Sequence, residues 1–98
     1  MKRVGKCDHK VVGGKMFRVR VVNDDSRLKE VRIFGDFFLH PEEALERIEG
    51  MAVESRGDMD VFQKELDEYL SGDDVEIYGA DAREIRTAVE TAINSVKS

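Results

Sequence analysis

The sequence has 98 residues, which is enough for one small domain, and we expect residues 1–98 to form a single domain. Hydrophobic residues make up 41% of the chain, so the core is modest and a deep catalytic cavity is not expected. No apolar run approaches the roughly 20 residues of a membrane helix. The first residues lack the apolar stretch of a secretion signal, and the single cysteine fits a reducing compartment, so we expect a cytoplasmic protein.

Charge is distributed unevenly along the chain. The formal net charge is −5, which argues against a general nucleic-acid binder. Residues 1–35 carry ten Lys and Arg against four Asp and Glu, whereas residues 36–98 carry six against seventeen. The sequence therefore predicts a basic first third followed by an acidic remainder.

Alternating apolar and charged residues predict two strands, over about residues 15–22 and 28–34. Polar residues 23–26 between them predict a hairpin loop of four or five residues. A first strand over about residues 3–12 would reach the second through the tighter Gly13-Gly14 turn, because glycine adopts positive φ without steric cost. We therefore expect a three-stranded antiparallel sheet in the order 1-2-3.

Three helices are predicted after the strands. The first begins with Pro41 at its first position and ends at Gly50, and residues 51–57 form an irregular link. Asp60 with Gln63 would cap the second helix.

A short extended piece over residues 75–78 precedes the last helix. Asp81 with Glu84 would cap that helix, which carries the cleanest apolar stripe of the chain. Strands followed by helices indicate an α+β fold.

Motifs for chemistry are almost absent from the sequence. Gly13-Gly14-Lys15 is too short for a phosphate-binding loop, so it is either a plain turn or a loop that meets a partner. Cys7, His9 and His40 are the only soft metal ligands, and a structural zinc site needs about four. We therefore expect no catalytic residue and no metal site in this chain.

The segment Gly35-Asp36-Phe37-Phe38 leads from the third strand toward the first helix. If this segment is extended, Phe37 and Phe38 point in opposite directions and cannot both face inward. Two alternatives follow: one aromatic side chain is offered to a partner, or both wrap into the core at a bend.

Three motifs together carry a resemblance to a known family: Lys10-Val11-Val12-Gly13-Gly14-Lys15, Gly35-Asp36-Phe37-Phe38 and Pro41-Glu42-Glu43. With the strands between them they closely resemble the lipoate-protein ligase C-terminal (accessory) domain family. The resemblance is strongest to its archaeal form, in which this domain is a separate small protein, and it covers essentially the whole chain. Val12 stands where that family's pattern has proline. The resemblance implies an α+β fold similar to the SufE/NifU-like fold.

The resemblance also implies a function. A large catalytic subunit would bind lipoate, ATP and magnesium, form lipoyl-AMP, and pass the lipoyl group to a lysine of a lipoyl domain or glycine-cleavage H protein. This chain would be the non-catalytic subunit of that heterodimer and would support the activation step. The predicted partner interface or loop near the active site comprises Lys10, Gly13, Gly14, Lys15, Gly35, Asp36, Phe37 and Phe38.

Two alternatives belong to other functional classes. One is a free-standing SufE/NifU-like sulfur-transfer or iron–sulfur module that uses Cys7, which would require an exposed, activated thiolate. The other is a binding module built on the basic sheet, which salt-dependent association with RNA would reveal. The favoured interpretation involves neither a nucleic acid nor a membrane.

Overall fold

The computed structural model describes residues 2–10, 16–25, 27–35 and 38–96. Three antiparallel strands form a sheet in the order β1-β2-β3, and two short strands, β4 and β5, pair with each other in a separate sheet. The elements in chain order are β1 (Lys2–Lys10), β2 (Met16–Asp24), β3 (Arg27–Gly35), β4 (Phe38–His40), α1 (Glu43–Glu54), α2 (Met59–Leu70), β5 (Glu76–Tyr78) and α3 (Ala82–Asn94). The predicted α+β class and the order of the main sheet are confirmed.

The helices cover one face of the main sheet. Helix α3 packs on β1 and β2, α1 packs on β3, and α2 packs against α1 and α3. Alternate strand residues supply the sheet side of the core, because successive side chains point to opposite faces. These inward residues are Cys7, Phe17, Val19, Val21, Val31 and Ile33.

The β2–β3 hairpin is tighter than predicted. Asp24 pairs with Arg27, so two residues connect the strands rather than four or five. Asp25 has φ +51°, a left-handed conformation that aspartate tolerates better than most residues. A register shift between Val22 and Asn23 lets the pairing continue into the polar residues that the sequence assigned to the loop.

Helix α1 departs from the prediction at both ends. It begins at Glu43, and Pro41 lies before it, where its carbonyl accepts the Ala44 N–H at 2.9 Å. Gly50 lies inside the helix, which continues to Glu54, so the predicted irregular link is helical in its first half. The complete burial of Ala52 explains the extension, since tertiary packing outweighs the cost of about 1 kcal/mol for an interior glycine.

The cap of α2 was also wrongly predicted. Asp58 is the N-cap, and its carboxylate accepts the N–H of Asp60 at 3.2 Å, so Asp60 lies inside the first turn. Gln63 accepts a hydrogen bond from Arg86 of α3 at 2.7 Å instead of completing a capping box. The sequence does not distinguish Asp58 from Asp60 as the N-cap, because aspartate is favourable at either position. The extended backbone of Asp58 makes that residue the cap.

Asp81 is the N-cap of helix α3, as predicted, but the Glu84 side chain contacts His9 rather than completing a capping box. The Asp81 carboxylate accepts the Glu84 N–H at 2.8 Å. The Glu84 carboxylate itself contacts the His9 ring on β1, so it ties α3 to the sheet. The apolar stripe is buried at Ile85, Ala88, Val89 and Ala92.

A buried carboxylate covers the free edge of β3. Glu49 of α1 is only 9% exposed and accepts the Ile33 N–H at 2.7 Å. Burial raises the pKa of this carboxyl, and the Ile33 hydrogen bond opposes the rise only partly. The contact pairs the backbone N–H of Ile33 at the edge of the sheet, although burial disfavours the charged form of Glu49.

We expect the contribution of Glu49 to the stability of the domain to fall as pH rises. A carboxyl whose pKa is higher in the folded state contributes fully below its unfolded pKa, and that contribution is lost as pH rises through the folded pKa. Glu49→Gln keeps an acceptor without the charge, so the variant should gain stability relative to the wild type as pH rises above about 4, the usual pKa of glutamate. Glu49→Ala leaves Ile33 without its partner and should cost about 1–3 kcal/mol. Urea unfolding across this pH range measures both effects, and a Gln variant whose advantage is independent of pH would contradict the assignment.

Candidate interaction surface

Two of the three sequence motifs, residues 10–15 and 35–38, begin at the same end of the main sheet, and we call them the motif segments. Lys10 pairs with Met16 across the β1–β2 connection, and Phe17, next along β2, pairs with Gly35 at the end of β3. We call this part of the sheet, defined by Lys10, Met16 and Gly35, the motif end. Residues 11–15 leave from it and residues 36–37 follow it in the chain. The predicted site residues Gly13, Gly14, Lys15, Asp36 and Phe37 lie outside the described residues.

Phe38 is exposed at the start of β4. Its side chain is 55% exposed and stacks at a centroid distance of 6.3 Å on His40. Tyr78 of the paired strand β5 lies 6.0 Å from Phe38 and is 63% exposed. We call these three residues the aromatic cluster. Phe38 is therefore not part of the core, and the alternative in which both adjacent phenylalanines wrap into the core is wrong.

The second face of the main sheet, which we call the outer face, is exposed and mainly basic. From the motif end to Glu30, this face carries five cations and two carboxylates: Lys6, Lys10, Arg18, Arg20, Arg32, Asp8 and Glu30. Arg18 pairs with Asp8 at 2.7 Å, and Arg20 and Arg32 both pair with Glu30, at 3.6 and 3.2 Å. The basic character predicted for the first third of the chain is thus concentrated on one surface.

Phe34 interrupts the polar outer face. It is 56% exposed and lies between two shallow depressions, each of about 500 Å³. One depression also includes Met16 and Gly35 of the motif end, and the other includes Lys6 and Arg20. Both are lined by Arg18 and Phe34, and we call these two neighbouring depressions together the groove.

Phe34 is not among the site residues predicted from the sequence. The signal was present in the alternation, because Phe34 follows Arg32 by two residues and therefore shares its outward face. An aromatic residue on the charged, exposed face of a strand indicates a binding surface more strongly than one on the apolar face, where the core explains it. Tyr78 was missed as well, because only the pairing of β5 with β4 brings it to Phe38.

Cys7 lies on the inward face of β1 and is 8% exposed. Burial raises the pKa of its thiol, and the neighbouring Asp8 carboxylate adds to the rise. A sulfur carrier requires an accessible thiolate, which forms most readily when the pKa is lowered. The environment of Cys7 therefore argues against the sulfur-transfer alternative.

The described residues contain no group of three or more His, Cys, Asp and Glu arranged to hold a metal ion. Over the same ranges, none of the helices has the length and apolar character needed to span a bilayer.

The fold is similar to that of one chain in a solved archaeal lipoylation system, a bipartite lipoate protein ligase and its E2 lipoyl domain from Thermoplasma acidophilum. The TM-score is 0.64, the sequence identity is 24%, and the alignment covers 91% of this chain and 97% of that chain. No protein-family model matches the sequence, and no curated protein matches it significantly. At this identity the similarity shows a shared fold over nearly the full length of both chains.

Proposed function

We propose that this chain is the non-catalytic small subunit of a two-part lipoate protein ligase. The observation that carries the proposal is the fold similarity to one chain of a bipartite lipoate protein ligase system, which extends over 97% of that chain. The motif resemblance supports it, because the strand ends beside both motif segments meet at one end of the sheet. The expected partner is a catalytic subunit, and the expected indirect partners are lipoyl-domain or glycine-cleavage H proteins.

The surfaces of the chain suit docking rather than chemistry. Its conspicuous exposed features are the aromatic cluster and the outer face of the sheet, both of which are open to a partner. The resemblance implies that ATP, magnesium and lipoate would be held by the catalytic subunit. We therefore assign this chain no bond-making step.

The contribution of this chain would be made through the partner's active site. Formation of an acyl-adenylate benefits from a closed site in which water is excluded and charges on the polyphosphate are held by fixed groups. A small domain docked beside that site would favour closure if the interface is tighter in the closed arrangement, because a ligand shifts an equilibrium by its differential affinity for the two states. The subunit is thus expected to act on the activation step.

Reconstitution with the purified catalytic subunit of the same organism tests the proposal. We expect the two chains to elute together in size-exclusion chromatography. Lipoate-dependent release of pyrophosphate should rise about a hundredfold or more when this chain is added, which corresponds to about 2.7 kcal/mol in the activation barrier. Failure of the chains to associate, or equal rates with and without this chain, would show that the proposal is wrong.

A further inference from the structure

We propose that the groove across the outer face binds an acidic segment of the catalytic subunit, with an apolar side chain of that segment packed against Phe34. This inference rests on the proposed function, and it specifies the chemistry of the contact and extends it beyond the motif segments. The residues that carry it are Lys6, Met16, Arg18, Arg20 and Phe34.

The charge of the outer face indicates an acidic partner. The chain as a whole has a net charge of −5, yet this face carries five cations and two carboxylates between the motif end and Glu30. Ion pairs within the described ranges engage Arg18, Arg20 and Arg32 but not the Lys6 side chain. A face whose charge is opposite to that of its own protein attracts carboxylates and sets the orientation of the encounter.

The apolar residues indicate that the segment also carries an apolar anchor. Phe34 and Met16 are 56% and 42% exposed, and they border the same depression. Exposed aromatic residues that become buried at the centre of an interface are frequent hot spots, whereas the charged rim mainly contributes specificity and association rate. A segment with carboxylates on both sides of an apolar residue would match this arrangement.

The position of the groove connects it to the predicted interface. Gly35, at the motif end, lines the same depression as Phe34, so a partner seated at the motif end also reaches the groove. A protein segment fits this face better than RNA, because exposed Phe34 and Met16 offer an apolar contact. Asp8 and Glu30 also interrupt the continuous positive surface that a row of phosphates requires. A protein segment can instead use the same ion-pair network at its rim.

Two variants and two matched controls test the inference. Phe34→Ser removes the apolar anchor, and Lys6→Glu reverses an exposed charge. Val61→Ser and Lys64→Glu make the same types of change at exposed positions of α2. Circular dichroism melting first establishes that all four variants are folded. Calorimetry then measures the Kd of each variant for the purified catalytic subunit at about 50 and 300 mM NaCl, where the screening of exposed charges differs.

We expect Phe34→Ser to weaken binding about thirtyfold at both salt concentrations. Lys6→Glu should weaken it about tenfold at low salt and much less at high salt, and both control variants should bind within about twofold of wild type. If wild type binds the catalytic subunit and the Phe34 and Lys6 variants bind equally well, the inference is wrong and the proposed function stands. If wild type does not bind, the proposed function fails and this inference fails with it. If a single-stranded RNA oligonucleotide binds wild type and loses affinity in these variants, while the catalytic subunit binds them normally, the groove is an RNA site.

Discussion

Replacement of Gly5 by alanine is expected to destabilise the domain by about 3 kcal/mol or more, which is a large share of the stability of a protein this size. Gly5 lies on β1 where the strand meets the end of α3. A Cβ atom at this position would lie 2.1 Å from the backbone oxygen of Ala92 and 2.6 Å from Cγ2 of Val96. A backbone atom cannot move aside as a flexible side chain can, so α3 must shift away from the sheet.

The shift would also disturb a second contact at the same place. The Ser95 hydroxyl accepts the backbone N–H of Lys6 at 2.8 Å, and a Cβ on Gly5 would lie 2.8 Å from that oxygen. Alanine at Gly5 therefore both creates overlap and removes the partner of a strand-edge donor.

Gly50→Ala is the matched control, because nothing lies within 4 Å of a Cβ placed there. Gly50 is in the interior of α1, where alanine is favoured over glycine by about 1 kcal/mol, so this variant should be more stable than wild type. Thermal and urea unfolding of the two variants beside wild type gives the comparison. A Gly5→Ala variant that unfolds with the wild-type midpoint would mean that β1 and α3 are farther apart than described.

The main sheet could be predicted from the sequence because its signal is local. Charged residues alternate with Val19, Val21, Val31 and Ile33, and the helices do bury that face of the sheet. A one-residue error in register would have exposed all of these side chains at once, so burial specifies the register strongly. The closeness of β1 to α3 at Gly5 had no such signal, since the approach depends on residues about 90 positions away.

The helix ends could be predicted less well, because several residues compete for the same role. Gly50 would end an isolated helix, but burial of Ala52 carries α1 past it, and Gly57 with φ +86° follows the end of the helix. Asp58 and Asp60 are both suitable N-caps, and the extended backbone at Asp58 makes that residue the cap. Tertiary packing therefore decided what local preference left open.

The sequence predicted that the strand ends beside two of the motifs lie close together, but it did not predict the aromatic cluster. Lys10 and Gly35 lie at one end of the sheet, which supports treating the two motif segments as neighbours. The aromatic cluster depends on the pairing of β4 with β5, whose strands are separated by two helices in the chain. Tyr78 therefore reaches Phe38 through a long-range pairing that periodicity does not reveal.

Truncation of Phe38 to alanine is expected to slow formation of lipoyl-AMP by the reconstituted ligase about thirtyfold, which is the effect of losing an interface anchor worth about 2 kcal/mol. Phe38 is more than half exposed, and Leu39 rather than Phe38 packs against the core from β4. The variant should therefore fold normally, because the truncated ring contributes little to the core. Under the proposed function, the loss arises when the catalytic subunit closes over its substrates.

Transfer from preformed lipoyl-AMP should change by less than about twofold in the same variant. The acceptor lysine needs an open path to the acyl-adenylate, whereas its formation benefits from a closed site with little water. Val61→Ala, an exposed apolar residue on α2, is the control and should leave both steps unchanged. A folded Phe38→Ala variant that activates lipoate at the wild-type rate would remove the aromatic cluster from the interface. Equal loss in activation and transfer would instead mean that the subunit docks as proposed but serves both steps. An anchor that acted only through closure would slow activation alone.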